Sequence, residues 1–529
     1  MTIQENKLPP QEGKPVEITI DGKAYEAPEG ANLLEFMLGE GIEIPYFCYH
    51  PGLAVVAVCR QCLVELKGMP KLSPACQTNI RGGMEVINSS DRVMEARRQL
   101  LEFTLVNHPV DCPICDKAGE CILQKQYMDW DHGKSNIDHE KVRKPKALDL
   151  GPRIVMDDER CILCTRCVRF MRDVAKDEQL CVSYRGNHAV LATAPGHKLD
   201  SDYSLNTVDI CPVGALTDKD FRFKIRVWEL SSSNSVCNGC ASGCRLEVHH
   251  HKGEVKRLVP RRHEDINLNW MCDYGRYTYK ALTDRRVTMP TIKGEEVGWD
   301  QALKFVGEGL AKAGAKVGVV LGADATNEDN FVAARLGLDL LEAKAVYLAA
   351  EPDGKGDDFL RHKDPNPNVA GATACGRGKV CSMADLAADL KAGKLSALYV
   401  VGDKLLLPED AMAKLAGLDL VVVQAAHPGA VAAKADVVLP AAMWAEVDGT
   451  MVNAAGAVQR LRAAVEPPAY ARPHWQIIVQ AARAGGFALD FTDAKAVHEA
   501  MKKEIEPLRG AVWGKDLPPT LLRYAGSRG

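Results

Sequence analysis

Sixteen of the chain's 18 cysteines lie between Cys48 and Cys272, and no other feature limits its possible folds so sharply. Only Cys375 and Cys381 fall beyond that stretch. Secreted proteins use such density for disulfides, but Met1 to Val16 is polar and has no apolar signal segment, so secretion is not expected. CxxC spacings in a chain of that kind point to metal ligation instead. The 529 residues suffice for about three to five domains with ample cores. An apolar fraction of 46% and a charged fraction of 26% are those of a soluble globular protein. A net charge of −4 offers no basic face to a nucleic acid. No segment supplies the roughly 18 consecutive apolar residues of a membrane-spanning helix, so membrane contact is expected only through partner subunits.

The organisation along the chain is modular. Val16 to Ala27 alternates apolar and polar residues around Asp21-Gly22, which predicts a hairpin, because a two-residue turn needs the positive φ that glycine tolerates. Ala31 to Gly39 reads as a short helix ended by glycine. Hairpin, helix and cysteine loop together suggest a β-grasp ferredoxin domain over residues 15–90. Asp91 is the expected cap of a helix running through Arg97, Leu101 and Leu105 and interrupted at Pro109, within a module spanning 91–130. Residues 131–150, with the basic run Lys141 to Lys146, read as a connector on a solvated face. Cysteine-rich modules then span 131–225 and 226–282. From Trp299 the texture changes. Apolar runs at Val317 to Leu321, Ala397 to Val401, Leu420 to Val423 and Asp436 to Leu439 alternate with helical stretches such as Ala384 to Leu390, the pattern of a parallel α/β sheet over 283–486. The remainder, 487–529, reads as a tail holding one helical segment, Ala494 to Ile505. The expected fold class is therefore multidomain, α+β followed by α/β.

Four ligand sets can be written from spacing. The first is Cys48, Cys59, Cys62 and Cys76, C-x10-C-x2-C-x13-C. Thiolates hold iron–sulfur clusters, and a CxxC pair lets one loop give two sulfurs to one iron. Zinc also takes four thiolates, but the β-grasp signals favour a [2Fe–2S] cluster, in a variant of the plant-type motif with a longer first interval. The second set is His108, Cys112, Cys115 and Cys121. Three cysteines this close need a fourth ligand, and His108 is the nearest upstream candidate; a neutral imidazole in place of a thiolate should raise the potential, as in Rieske centres. The third is Cys161, Cys164 and Cys167 with the remote Cys211-Pro212, the run of bacterial [4Fe–4S] ferredoxins. Met171 stands where a two-cluster ferredoxin has a further cysteine, so one cluster is expected. Cys181 competes for the fourth place; it is expected instead as a buried free thiol. The fourth set is Cys237, Cys240, Cys244 and Cys272, again suited to a [4Fe–4S] cluster. His249, His250 and His251 cannot all converge from a strand, where side chains alternate faces, and are expected at the surface. Cys181, Cys375 and Cys381 are left over.

This order of sets resembles the large iron–sulfur subunits of bacterial NADH:quinone oxidoreductase (complex I). Residues 15–225 resemble the module that this family shares with [FeFe]-hydrogenases and NAD-linked formate dehydrogenases. Asn267 to Arg276 resembles the cluster-binding start of the molybdopterin oxidoreductase domain. Ala435 to Pro440 with Glu446, Gly449, Thr450, Asn453 and Gly456 is similar to that superfamily's later signature. The resemblance implies one [2Fe–2S] and three [4Fe–4S] clusters, and a shortened α/β domain that serves as scaffold without molybdopterin. It further implies a peripheral subunit on the cytoplasmic side of the inner (plasma) membrane. There it would relay electrons from an FMN- and NADH-binding subunit, beside a small [2Fe–2S] subunit, to a ferredoxin-like subunit with two [4Fe–4S] clusters and on to the quinone-site subunits. No catalytic acid, base or nucleophile is expected in the chain itself, and Gly376-Arg-Gly378 opens no dinucleotide-binding unit.

Two rival readings remain at this point. A formate dehydrogenase or hydrogenase subunit would need further cysteines for its active site, and none lies between Cys272 and Cys375. A zinc-stapled structural protein would use the same thiolates around a spectroscopically silent ion.

Overall fold

In the computed structural model, which describes residues 13–130, 133–136 and 138–514, Asp21 and Gly22 both take positive φ, 47° and 78°. Their turn folds Pro15–Ile20 antiparallel onto Lys23–Pro28, pairing Ile20 with Lys23. Glu85–Ile87 adds in parallel to the first strand, and Leu63–Leu66 pairs with it from the far side. Helix Leu33–Gly39 buries Leu33, Leu34, Phe36 and Met37, each burial contributing roughly 1.5–3 kcal/mol before entropy is counted. Its N-cap, Asn32, accepts from Glu35 N at 3.2 Å and donates to Cys76 O at 2.7 Å. One side chain thus starts the helix and fixes the loop that carries a candidate ligand.

Helix Asp91–Leu105 is capped by Ser90, whose side chain accepts from Val93 N at 3.3 Å; Asp91, the expected cap, is the first helical residue. The helix is held to the sheet by Arg97, which is only 1% exposed and donates to Leu63 O at 3.1 and 2.8 Å and to Asn88 Oδ1 at 2.6 Å. The basic run that follows is exposed at Lys141, Arg143 and Lys146, as a solvated face should be, and it also straps the end of the helix. Lys141 Nζ donates to Leu105 O at 2.8 Å and Val106 O at 2.9 Å, two carbonyls at the end of the helix, where intrahelical donors run out. Lys144 reaches Ala189 O, and Lys146 pairs with Glu159 at 2.7 Å. A lysine-rich stretch looks solvated by composition alone, but here carbonyls and carboxylates brought from elsewhere in the chain receive its charges.

The chain divides into two units, one holding residues up to Ser231 with Arg261–Asp273, the other holding Ser232–Pro260 and the residues from Tyr274 on. The second is dominated by an 8-stranded sheet. Its six parallel strands lie in the order Val380–Cys381, Val346–Ala349, Val317–Gly322, Ala397–Val401, Leu420–Ala425 and Val437–Pro440. In chain order that is a doubly wound sheet whose direction of growth reverses between the third and fourth of these strands. Ala397–Val401 and Leu420–Ala425 are buried throughout, which explains why they read as unbroken apolar runs. Helices Trp299–Ala313, Asn327–Arg335 and His474–Ala484 pack on the sheet. The segment expected to be a tail is part of this core: Ala494–Glu504 buries Val497 and Met501, and Ile505 and Leu508 follow. Among the described residues no helix is long and apolar enough to cross a membrane.

The residues resembling a molybdopterin-domain signature act here as polar fasteners. Glu446 receives both Arg286 nitrogens, at 2.6 and 2.9 Å, and both side chains are nearly fully buried. Thr450 donates to Glu328 through its backbone at 2.6 Å and its hydroxyl at 2.9 Å. Asn453 donates to Ser242 O at 3.0 Å. Removing one partner of such a pair leaves an uncompensated buried charge. Arg286→Met is therefore expected to cost about 3–5 kcal/mol, with much of the loss recovered by adding Glu446→Leu. Chemical denaturation of the three proteins checks this, and a single-variant cost below about 1 kcal/mol contradicts it.

Candidate iron–sulfur centres

The first four cysteines sit in one loop system beside the five-stranded sheet. Cys48, Cys62 and Cys76 are buried, and Cys59 is partly so. Positive φ at Ala57 (50°) and Arg60 (59°) bends the loop on either side of Cys59, whose sulfur accepts from the amides of Phe47 and Cys48 at 3.4 Å. The thiols pair in twos. Cys48 is lowered to about 6, first by its hydrogen bond with Cys59, and the same bond pushes Cys59 up. Cys62 and Cys76 form a second such pair, the one lowered and the other raised by their mutual bond. Two close pairs are the arrangement expected around two irons. They also assign partners differently from the CxxC reading, since Cys59 and Cys62 fall in different pairs. Among the described residues no group of three or more His, Cys, Asp or Glu side chains is placed to hold a single metal ion.

The second set follows the helix Asp91–Leu105. His108 lines a cavity of about 400 Å³ together with Cys112, Cys121, Leu105, Tyr127 and Lys141. Its Nδ1 is buried with no hydrogen-bond partner. Burial lowers it to about 4, so it is a neutral imidazole with a lone pair to give. Burial also raises Cys115, and raises Cys121 to about 12. Buried thiols of this kind ionise only when a cation is bound to them. Donor types, burial and the orphaned nitrogen all fit an iron–sulfur cluster.

The third set is brought together with its remote member. Cys211 lies within electrostatic range of Cys161, Cys164 and Cys167, which burial raises, the first two to about 12 and about 11. Leu163 and Thr165, between the cysteines, take positive φ of 51° and 60°, turning the loop around a common centre. Cys181 does not join them. It begins the strand Cys181–Ser183, is exposed rather than buried, and lies 3.6 Å from Ala192 O and 3.7 Å from Ser183 Oγ.

The three sets share walls. A Cβ on Gly214, three residues after Cys211, would meet Cys115 Sγ at 2.3 Å, so only glycine lets the third set's segment lie against the second. Arg160, preceding Cys161, donates to both oxygens of Asp111, preceding Cys112, at 3.0 and 2.6 Å. Arg166 donates to Tyr49 O and, at 3.1 Å, to Ile210 O, while Arg169 donates to Cys48 O. A small apolar cluster of Phe47, Leu101, Leu123, Val213 and Ala215 is lined by Cys59, Cys121, Cys161 and Cys211, at least one from each set. Sequence reasoning missed these arginines, although the places of Arg160 and Arg166 directly before Cys161 and Cys167 were a visible signal.

In the fourth set Cys237, Cys240, Cys244 and Cys272 are all buried, the first three in the second unit and Cys272 in the first. Cys237 Sγ accepts from Gly239 N at 3.4 Å, and Cys237 N donates to Cys244 O at 2.8 Å. His249, expected at the surface, is buried between Glu247, at 3.2 Å, and Arg257, whose Nε donates to its Nδ1 at 3.0 Å. An irregularity in the strand register between His249 and His250 breaks the alternation on which the expectation rested. Cys375 is fully buried with its thiol 3.3 Å from Asn327 O, and Cys381 ends a two-residue edge strand.

Family models match nearly all of this half. Residues 13–91 match a 2Fe-2S iron-sulfur cluster binding domain, and 97–136 the NADH-ubiquinone oxidoreductase-G iron-sulfur binding region. Residues 151–217 match the ferredoxin-like domain of NADH-quinone oxidoreductase subunit 3, and 231–280 the NDSU1/NuoG-like 4Fe-4S domain. Residues 360–484 match the molybdopterin oxidoreductase model. The NADH-quinone oxidoreductase G subunit of Streptomyces coelicolor is 36% identical over 365 residues, 65% of this chain and 43% of that protein. Its Rickettsia bellii counterpart is 39% identical over 297 residues, 55% of this chain and 44% of that one. The NADH-ubiquinone oxidoreductase 75 kDa subunit of Reclinomonas americana is 34% identical, over 68% of this chain and 53% of its own. The chain thus spans about half the length of the curated relatives it matches. A chain of an NAD+-reducing [NiFe]-hydrogenase is 30% identical, covering 40% of this chain and 91% of that one, with a TM-score of 0.36. Through its 2Fe-2S and 4Fe-4S domains the chain belongs to the NuoG-like family, the large iron–sulfur subunits of NADH-quinone oxidoreductases.

Proposed function

We propose that the chain is an electron-relay subunit of an NADH-quinone oxidoreductase. On this reading Cys48, Cys59, Cys62 and Cys76 hold a [2Fe–2S] cluster. His108 with Cys112, Cys115 and Cys121, Cys161 with Cys164, Cys167 and Cys211, and Cys237 with Cys240, Cys244 and Cys272 hold three [4Fe–4S] clusters. When bound, such clusters supply one-electron redox chemistry whose potential is set by ligand, charge, hydrogen bonding and exposure. The observation that carries the reading is the shared apolar cluster around Phe47, Leu123 and Val213, onto which cysteines of three sets converge. Electron transfer falls steeply with distance, and the packing at Gly214 keeps the intervening layer thin while excluding water. The chain's residues bind, orient and insulate. No acid, base or nucleophile is needed in them.

The electrons would come from an FMN- and NADH-binding partner beside a small [2Fe–2S] subunit, and leave through a ferredoxin-like subunit toward the quinone-site subunits. The chain would sit peripherally on the cytoplasmic side of the inner membrane, touching it only through those partners. Molybdopterin is not part of the reading, because no cysteine lies between Cys272 and Cys375 to ligate molybdenum.

Metal analysis of anaerobically prepared protein is the direct test. The expected content is about 14 iron atoms per chain, with a brown colour that zinc does not give. Stoichiometric zinc would reject the relay, and stoichiometric molybdenum would favour a molybdenum enzyme.

His108→Cys tests the second set. The buried imidazole is neutral, so a thiolate there adds one negative charge and disfavours accepting an electron. The variant is expected to assemble its cluster at a lower reduction potential, read by redox titration followed by electron paramagnetic resonance. An unchanged potential and spectrum would remove His108 from the ligand set.

A further inference from the structure

The buried arginines around the third set differ in what neutralises them. Arg160 faces two carboxylates, Asp111 at 2.6 Å and Asp157 at 3.3 Å. Arg166 and Arg169 face carbonyls. Arg166 is 4% exposed and donates to Tyr49 O and Ile210 O, the residues adjoining Cys48 and Cys211. Arg169 is 2% exposed and donates to Ala54 O, Cys48 O and, at 3.5 Å, Cys164 O. Neither forms an ion pair with a carboxylate among the described residues. Asp173, within electrostatic range of Arg169, is itself paired with Arg172 at 2.7 Å. Two positive charges are thus held out of water between the loop of Cys48 and the segments carrying Cys164, Cys167 and Cys211.

A guanidinium bonded to carbonyls and, from Arg169, to the Thr165 hydroxyl at 3.3 Å is a costly way to brace two loops, because desolvating the charge is not offset by an opposite one. A neutral amide could donate to some of the same carbonyls without that cost. What only the arginines supply is positive charge in a poorly screened site, and such charge favours whichever neighbouring centre gains an electron. We propose that Arg166 and Arg169 are positioning residues whose charge raises the reduction potentials of the first and third centres together. The second centre is flanked instead by Arg160, which Asp111 and Asp157 balance, and by Lys141, which lines the His108 cavity. The inference rests on the cluster reading given above.

The test is redox titration by electron paramagnetic resonance on the full-length, iron-loaded chain carrying Arg166→Gln, Arg169→Gln or Arg169→Lys. Glutamine keeps amide donors and removes the charge, whereas lysine keeps the charge and loses the fork. In each glutamine variant the first and third signals should need a more reducing poise, roughly a tenfold change in the reduced-to-oxidised ratio at fixed potential. The second signal should stay in place, and Arg169→Lys should titrate like the unaltered chain. Unshifted signals in glutamine variants that retain iron would overturn the proposal. So would an equal shift in the lysine variant, or loss of the clusters from both glutamine variants, which would make the arginines braces only. Absence of iron–sulfur signals from the unaltered chain would instead overturn the functional reading itself.

Discussion

Buried thiols close to one another are unfavourable unless a cation shares their charge, and the amino-terminal unit is built around that constraint. Its elements beyond residue 147 are too short to make a core alone. The strands Leu148–Asp149, Ile154–Met156, Cys181–Ser183, Val190–Ala192 and Leu216–Asp218 have two or three residues each. What surrounds them is sulfur, buried arginine and carbonyl oxygen beside buried apolar side chains such as Phe170, Met171, Leu199 and Leu205. Metal binding free energy is folding free energy in such modules, so bound clusters would add to that core. The second unit needs no such help, because its sheet buries residues such as Val319, Leu398, Tyr399 and Val422 completely.

Features that depend on local chemistry were legible in the sequence. Asp21-Gly22 turns because only certain residues tolerate positive φ there, and the apolar runs at 397–401 and 420–425 are strands because both faces are covered. The proline after Cys211 pointed to the remote member of the third set, and Cys211 lies within electrostatic range of Cys161, Cys164 and Cys167. Features that depend on distant partners were not legible. Ser90 takes the cap that Asp91 was expected to take, one residue away. Lys141 to Lys146 lie largely exposed, as read, but nothing local shows that Leu105 O, Ala189 O and Glu159 await them. The thiols of Cys48 and Cys59, and those of Cys62 and Cys76, are hydrogen-bonded in pairs, a contact that the CxxC spacing does not show.

The glycines and arginines show how one layer serves several tasks. At Gly214 the absence of a Cβ lets a carbonyl-rich segment touch Cys115 Sγ, and the Cδ of Arg160 packs about the same point. Arg226 adds a bond to Cys115 O at 2.6 Å from farther along the chain. Moving any of these groups by an ångström would alter spacing, hydration and local charge together. The region therefore tolerates change less well than its modest apolar burial suggests.

In the second unit the same reasoning bears on how the sheet's carboxyl ends are occupied. Doubly wound sheets place ligands outside the carboxyl ends of the strands, at the point where strand order reverses. Here that point lies between Val317–Gly322 and Ala397–Val401, and the chain's own side chains take it up. Lys404 pairs with Glu351 at 2.7 Å, and His427 with Asp403 at 3.0 Å. Asp324 Oδ1 lies 3.4 Å from the place a Cβ on Gly402 would occupy. Burial raises Asp324, with Lys404 opposing. A site prepared for a charged cofactor leaves donors and cations facing outward to meet it. Here opposite charges answer one another within the fold, as do Arg286 with Glu446, and His498 lies 2.9 Å from Glu328. Such an arrangement stabilises the domain as it stands.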